Sequence, residues 1–300
     1  GDGINWLLST NINSNAWQDV AYGNGKFVAI SSGSSGLISY STDGVNWTAS
    51  TATNTVVGVN WTSITYGGDK FVVVGTDTSA DHFSTDKTIY SADGINWTAA
   101  TMANPAAWKA VTYGNGRFVA VATDQSGNTD PRVNYSTNGI SWNKGTGEVG
   151  LNISWGSVAY GGDKFVAVNP TGTPGSNNGL MYSADGSSWT VTNSINSEGT
   201  GFNWWDLTYA NNTWVAVSSG GTVNGTFMPT AYSDDGITWT LLVAPIGGKS
   251  VVRGSDKFVS VYYGGNGQRS MWSPTGRPVP AYANGETVIG PQVAAATGTV

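Results

Sequence analysis

The sequence predicts an all-β chain: a six-bladed β-propeller of four-stranded antiparallel blades. Three observations carry that prediction. The block over residues 17–30, Trp-Gln-Asp-Val-Ala-Tyr-Gly-Asn-Gly-Lys-Phe-Val-Ala-Ile, returns at 61–74, 108–121, 155–168 and 204–217, with a degraded copy at 248–261. A second block over residues 38–47, Ile-Ser-Tyr-Ser-Thr-Asp-Gly-Val-Asn-Trp, follows the first and returns in copies ending at Trp97, Trp142, Trp189 and Trp239. The tyrosines Tyr22, Tyr66, Tyr113, Tyr160 and Tyr209 stand 44, 47, 47 and 49 residues apart. A period of this size, holding four short strands, is the signature of propeller blades.

Each repeat divides in order. Strand a is Trp-x-x-Val-x-Tyr. A Gly-Asn-Gly-Lys or Gly-Gly-Asp-Lys turn follows, made of residues that accept the positive φ of a tight hairpin. Strand b is the β-branched run Phe-Val-Ala-Val. A variable loop leads to strand c, Ile-x-Tyr-Ser, and the turn Ser-x-Asp-Gly leads to strand d, ending Trp-Thr. No apolar period of 3.6 residues is sustained over a helix's length.

The termini fit a ring. The chain opens in mid-repeat with Asp2-Gly3-Ile4-Asn5-Trp6, half of a c–d turn plus strand d. The last copy supplies strands a to c, ending Met271-Trp272-Ser273-Pro274-Thr275-Gly276, and lacks the tryptophan that should follow. The closing blade is therefore expected from residues 248–276 plus 1–10, which leaves no open sheet edge between first and last blades. The alternative makes residues 277–280 an imperfect strand d and gives Trp6 to a further blade. Residues 1–276 form the expected propeller. Residues 277–300, with Pro278, Pro280 and Pro291, read as an extended tail or linker, and the mid-repeat start suits a processed chain or a piece of a longer one.

Composition narrows the function. Of 300 residues only 11% are charged, against about 25% in a typical domain, while 12% aromatics and 14 Trp signal a packed core. The net charge of −6 and the absence of a basic cluster exclude nucleic acid as a natural partner and disfavour an anionic membrane surface. No run approaches the length of a membrane helix, so no membrane insertion is expected. The absence of cysteine and the single histidine, His82, exclude thiolate and multi-histidine metal sites and leave one candidate base for any serine triad. No cofactor is expected. The loop oxygens would suit Ca²⁺, yet no EF-hand or nonapeptide spacing appears.

The turn Ser41-x-Asp43-Gly44-x-x-Trp47 resembles the Asp-box of bacterial neuraminidase repeats, one residue shorter between Asp and Gly. Copies centre on Asp93, Asn138, Asp185 and Asp235, and Asp2 opens the chain in a half-copy. The whole unit is similar to repeats in bacteriophage tail-fibre and bacterial surface proteins. The resemblance implies a propeller whose boxes are structural turns opposite the binding face. A carboxylate in such a turn accepts bonds from turn N–H groups, which makes it a poor catalytic candidate.

Enzyme readings find little support. A sialidase grips its substrate with three arginines and uses a Tyr/Glu pair. Here Arg117 falls in an a–b turn, Arg277 in the tail, and Arg132, Arg253 and Arg269 come from two repeats only. A glycosidase needs two placed carboxylates, and the chain holds three glutamates, Glu148, Glu198 and Glu286. The sequons at Asn46, Asn60 and Asn96 arise from the repeat itself.

Binding is the favoured reading. The a–b and c–d turns are short and uniform, while the d–a and b–c loops differ in every repeat, and a rigid scaffold with one variable face is where recognition resides. The repeat absorbs every tryptophan but Trp205 into a strand position. Off-template with it are Phe83, Phe202, Phe227, Tyr262, Tyr263 and Tyr282. Sugars stack apolar faces on such rings and bond Asp and Asn through their hydroxyls. The expected contact cluster is Phe202, Trp204 and Trp205, rimmed by Phe83, Phe227 and Tyr263, with Asp81, Asp130 and Arg132 on neighbouring loops. The expected partner is a glycan or surface receptor at an extracellular or virion surface. The competing reading is a structural spacer whose tail contacts other virion or surface proteins, and a glycoside hydrolase comes third.

Overall fold

In a computed structural model, the described residues are 8–10, 12, 15–33, 36–50, 58–77, 85–123, 131–147, 154–171, 179–192, 199–200, 202–223, 226–227, 230–242, 244, 247–253, 257–261 and 270–273. They form strands and turns without a helix. The first unit is an antiparallel meander of β1 (Ala16–Gly23), β2 (Lys26–Ser32), β3 (Ile38–Ser41) and β4 (Thr48–Ala49). The second contains β5 (Val59–Gly67), β6 (Lys70–Asp77), β7 (Thr85–Ser91) and the start of β8 (Thr98–Gly114). The third takes the rest of β8 and adds β9 (Arg117–Thr123), β10 (Val133–Ser136) and β11 (Asn143–Lys144). These two units share one seven-stranded sheet through β8. The loop expected between them is replaced by extended chain, which pairs first with β7 and then with β9.

The fourth unit is β12 (Ser157–Gly161), β13 (Lys164–Val168), β14 (Leu180–Ser183) and β15 (Thr190–Val191). A two-residue strand β16 (Gly199–Thr200) precedes the fifth unit, whose β17 (Trp204–Ala210) and β18 (Thr213–Ser218) are followed by β19 (Thr222–Val223) and β20 (Thr226–Phe227). The fifth unit ends with β21 (Thr230–Ser233) and β22 (Thr240–Leu242). The last unit is described over three strands, β23 (Ser250–Arg253), β24 (Phe258–Val261) and β25 (Ser270–Trp272).

Strand a of each unit lies beside strand a of the next: β1 by β5, β5 by β8, β8 by β12, β12 by β17 and β17 by β23. The core therefore lies between units. Val28, Ile30 and Ile38 of the first unit pack with Ile64, Phe71 and Trp61 of the second. The same combination recurs at the next three seams, and the fifth keeps it without the tryptophan, with Val215 and Val217 against Val251 and Phe258. A sheet that is apolar on both faces must be covered on both, so units stack face to face.

Two local devices set these seams. The first is a β-bulge at the start of strand a, at Trp17/Asp19, Trp61/Ser63, Trp108/Ala110 and Trp204/Asp206. Trp61 and Ile64 are three residues apart yet share one seam, and an unbroken strand with period two would send them to opposite faces. The extra residue turns the tryptophan back. Its indole N–H then reaches the preceding unit: Trp61 donates to Gly36 O at 3.2 Å and Trp108 to Thr85 O at 3.0 Å. The second device is a tyrosine on a glycine. A Cβ on Gly23, Gly67, Gly114 or Gly161 would lie 2.0 to 2.2 Å from ring atoms of Tyr66, Tyr113, Tyr160 or Tyr209 in the next unit.

The Ser-x-Asp-Gly turns are closed circuits. The Ser41 hydroxyl donates to Asp43 Oδ1 at 2.9 Å, and Val45 N and Asn46 N donate to the same oxygen at 2.8 Å. Gly44 N donates to Ser41 Oγ at 2.8 Å, with Gly44 at φ +74°. Asp93, Asp185 and Asp235 accept equivalent sets, and Asn138 does so through its amide oxygen. Asp2 lies outside the described residues. We expect Asp93→Asn to change stability by less than about 1 kcal/mol at neutral pH, because Asn138 already makes this turn, and Asp93→Ala to cost about 1–2 kcal/mol by freeing two N–H donors. Chemical denaturation of the two variants checks this.

At the N-terminus, Thr10 bridges Asn46 in parallel, as Thr101 bridges Ser141 and Thr146 bridges Ser188. Thr10 N donates to Val45 O at 2.9 Å and Trp47 N to Thr10 O at 3.3 Å, matching Thr146 N to Ser187 O at 2.8 Å and Trp189 N to Thr146 O at 2.9 Å. Thr101 and Thr146 close the outer strands of the second and third units. Thr10 thus stands where the outer strand of a unit preceding the first would end.

Candidate functional site

Two contacts identify the uniform face. The Asn24 amide in the first a–b turn donates to Ala92 O in the second c–d turn at 3.1 Å, and Arg117 Nη1 donates to Asp185 O at 2.8 Å. Both kinds of tight turn therefore share one end of the sheets, and the variable loops take the other. Arg117 is a structural tie between two turns.

On the loop side the bulge decides which side chains come forward. It presents the residue after the strand-a tryptophan in four units, Gln18, Thr62, Lys109 and Trp205, and Gly156 and Lys249 hold the same place in the repeat before β12 and β23. Gln18 bonds Ser32 Oγ at 3.1 Å, and Thr62 donates to Trp108 O at 2.8 Å. Trp205 is 37% exposed, the large aromatic ring most open to solvent on this side among the described residues. Its indole N–H donates to Ser219 Oγ at 2.9 Å. The ammonium of Lys249, from the last unit, lies over the indole face, a cation–π contact. Burial lowers the basicity of Lys249 below that of an ordinary lysine.

The cluster expected from sequence separates here. Trp204 is fully buried and Phe202 nearly so. Their rings stack at 5.3 Å with planes 6° apart, and a Cβ on Gly221, at φ +128°, would lie 2.2 Å from Cδ1 of the Phe202 ring. Neither ring offers a face to solvent, because the bulge returns Trp204 to the seam and the loop after β18 folds over Phe202. What Phe202 does is hold that loop: Asn203 N donates to Ser218 Oγ at 3.1 Å and Ser219 N to Asn203 O at 3.2 Å, which fixes Ser219 for Trp205.

The segments flanking β17 and β18 also form a small sheet in the order β16-β19-β20, with Phe227 on β20. Arg132 is also buried, next to a closed polar set in which Asn134 Nδ2 donates to Asn104 Oδ1 at 2.8 Å and Asn104 Nδ2 to Pro131 O at 3.2 Å. Arg253 takes the strand-a tyrosine position and stacks on Phe258, 4.9 Å from its centroid. Asp81, Phe83, Asp130 and Tyr263 lie outside the described residues. Sequence reasoning missed Ser219 and Lys249. The signal for Lys249 was its register, one place after the lost tryptophan of the degraded copy.

Carboxylates divide into two classes. In Asp43 the Asn46 N–H, the Asn46 amide and the Val45 N–H hold the carboxyl well below the usual carboxylate range. In Asp93, Asp185 and Asp235 burial pushes upward, but the turn donors outweigh it. By contrast, Asp206 and Asp19 lie between inner strands. Asp206 accepts from Ser157 Oγ (2.9 Å), Ser250 Oγ (2.9 Å), Leu207 N (2.9 Å) and Val251 N (3.0 Å), joining three units. Asp19 accepts from Ile64 N at 2.9 Å and Val20 N at 2.8 Å, joining two. Burial raises both carboxyls. Their oxygens are committed to these donors, and no group of three or more His, Cys, Asp or Glu side chains able to hold a metal lies among the described residues.

No protein-family model matches the chain, and no curated protein does. Many solved structures are similar to it. One of them, YCF48 bound to D1 peptide, aligns with a TM-score of 0.60 and 13% identity over 90% of this chain and 84% of that one. At that identity the likeness speaks for the fold alone. Together with the succession of antiparallel sheets it fits a β-propeller.

Proposed function

We propose that this chain is a non-catalytic, Asp-box-type β-propeller of six blades, which binds a glycan or surface receptor through its loop face in an extracellular or virion-surface setting. The observation that carries the binding reading is Trp205, a partly exposed indole braced by Ser219 and topped by Lys249. Aromatic rings held rigid at a concave or loop-rich face contribute large contact area at little entropic cost. A ligand that stacks on this face of Trp205 must displace Lys249 or pair with it, which favours ligands carrying a carboxylate or other anionic group. The peptide in the similar structure supports a protein segment as one form of receptor. Asp19 and Asp206 are committed to backbone and hydroxyl donors between units, which suits a structural role better than that of a general acid, whose proton must be offered to a substrate.

The test is a screen of the purified chain on arrays of glycans and peptides. Binding by the parent, abolished by Trp205→Ala in a variant with an unchanged melting temperature, is the expected result. A parent that binds nothing on either array would move the weight to the spacer reading.

A further inference from the structure

Lys249 reaches the Trp205 ring from a segment that is tied to the fifth unit on both sides. Five units carry the strand-a tryptophan, as Trp17, Trp61, Trp108, Trp155 and Trp204, and the last unit has Gly248 in that place. Gly248 N donates to Ser218 O of the fifth unit at 2.8 Å, the bond that Trp155 N makes to Ala122 O and Trp204 N to Asn169 O, each at 2.9 Å. A Cβ on Gly248 would lie 2.5 Å from Val217 Cβ and from Ser260 Oγ, so the backbone here runs where no side chain fits. On the other side of Lys249, Ser250 Oγ and Val251 N donate to Asp206 Oδ2 at 2.9 and 3.0 Å. Lys249 N itself donates to Val261 O at 2.8 Å, within the last unit. The ring that Lys249 covers stands equally close to the carboxylate, because Trp205 precedes Asp206 in β17.

We infer that Asp206 is the positioning residue of the Trp205 site: its carboxylate ties the start of β23 to β17 and so holds the Lys249 ammonium over the indole. This rests on the reading of Trp205 and Lys249 as a binding site, and it names the group that sets the cation of that site in place. The two carboxylate oxygens divide the work. Oδ1 accepts from Leu207 N in its own strand and from Ser157 Oγ in the fourth unit, both at 2.9 Å, which anchors the carboxylate. Oδ2 accepts only from the last unit, on the two residues that follow Lys249. An anionic group arriving on the Trp205 face therefore meets an ammonium whose backbone is already fixed, so less freedom is lost on binding. Asp19 supplies a comparison within the same chain. It holds the same place in the first unit and accepts from Ile64 N of the second at 2.9 Å, the counterpart of Val251 N. Gln18 and Thr62 stand there in the places of Trp205 and Lys249, and Gln18 bonds Ser32 Oγ within its own unit at 3.1 Å. The same clamp at that seam places no cation on a ring.

Fluorinated tryptophan, incorporated at all 14 positions, gives a readout that needs no ligand. The Trp205 fluorine resonance is assigned by its loss in Trp205→Phe, and its displacement between ordinary and heavy water measures how open the ring is to solvent. Lys249→Ala sets the uncovered value. Asp206→Ala is expected to raise the solvent displacement to that value, and Ser250→Ala to raise it part of the way. Asp19→Ala removes a buried carboxylate of the same kind and is expected to leave it at the parent's value. In the Lys249→Ala background, Asp206→Ala should add nothing, because the cover is already gone. A solvent displacement in Asp206→Ala equal to the parent's overturns the inference. If that variant fails to fold, an unmoved value in Ser250→Ala overturns it. An equal rise in Asp19→Ala also overturns it, since the effect would then follow from lost stability alone. The two readings fail separately: an unmoved resonance removes the clamp and leaves the array result standing, and arrays on which nothing binds remove the binding reading and leave the clamp.

Discussion

Gly114→Val is expected to destabilise the protein by about 3 kcal/mol and to lower its Tm by roughly 6–12 °C. Valine favours strands, so local propensity would predict a gain. The loss comes from the neighbour. A Cβ at position 114 would lie 2.0 Å from Tyr160 Cγ, an atom too close to the backbone to swing away. The tyrosine must leave its place over the glycine, and with it goes the pairing of Tyr160 with Phe165, whose rings lie 4.7 Å apart. The companion variant Gly114→Val/Tyr160→Ala should be less destabilised than the two single changes sum to, because the collision is then absent. Additive losses would mean that the glycine serves the strand and not the seam.

Asp206→Ala is expected to cost about 2–3 kcal/mol, since it leaves the Val251 and Leu207 N–H groups and two serine hydroxyls without their acceptor. The same carboxyl gives a pH signature. Asp206 and Asp19 have folded values raised above the ordinary 3.8. Between 3.8 and those raised values the folded protein binds more protons than the unfolded chain, so stability rises as pH falls through that interval. The turn aspartates act oppositely. Asp43, Asp93, Asp185 and Asp235 are depressed, so their contribution is present above 3.8 and is lost as pH falls below it. The sum places the stability maximum on the acid side of neutrality, where Asp206 and Asp19 have taken up their protons and the turn aspartates still keep their charge. Asp206→Asn should flatten the rise from neutral pH to that maximum, and a series of melting temperatures across pH reads both effects. A parent whose stability falls steadily from neutral pH downward would contradict the raised assignment.

Much of the fold is legible in the sequence because the repeat reports itself many times. The Trp-x-x-Val-x-Tyr spacing, the glycine-rich turns and the Ser-x-Asp-Gly boxes each recur, and each has one physical solution. The site is less legible because it depends on departures from the repeat. The bulge after Trp17, Trp61, Trp108 and Trp204 leaves no mark in residue type, yet it turns Trp204 inward and Trp205 outward. Off-template aromatics are a sound guide only when nothing folds over them, and the loop held by Gly221 folds over Phe202. Lys249 belongs to the degraded copy, where the missing tryptophan hides the register. The continuous β8 and the small sheet β16-β19-β20 arise from loop lengths and pairings that no local motif encodes.

If recognition belongs to the loop face and runs through Trp205, one set of affinities decides it. The strongest ligand from the arrays is titrated against the parent, Trp205→Ala, and Asn115→Gly in a turn of the opposite face, and Kd is measured for each. The expected result is a loss of at least about tenfold for Trp205→Ala, equivalent to about 1.4 kcal/mol, with Asn115→Gly unchanged. Equal affinity for the parent and Trp205→Ala, or a loss confined to Asn115→Gly, would contradict it.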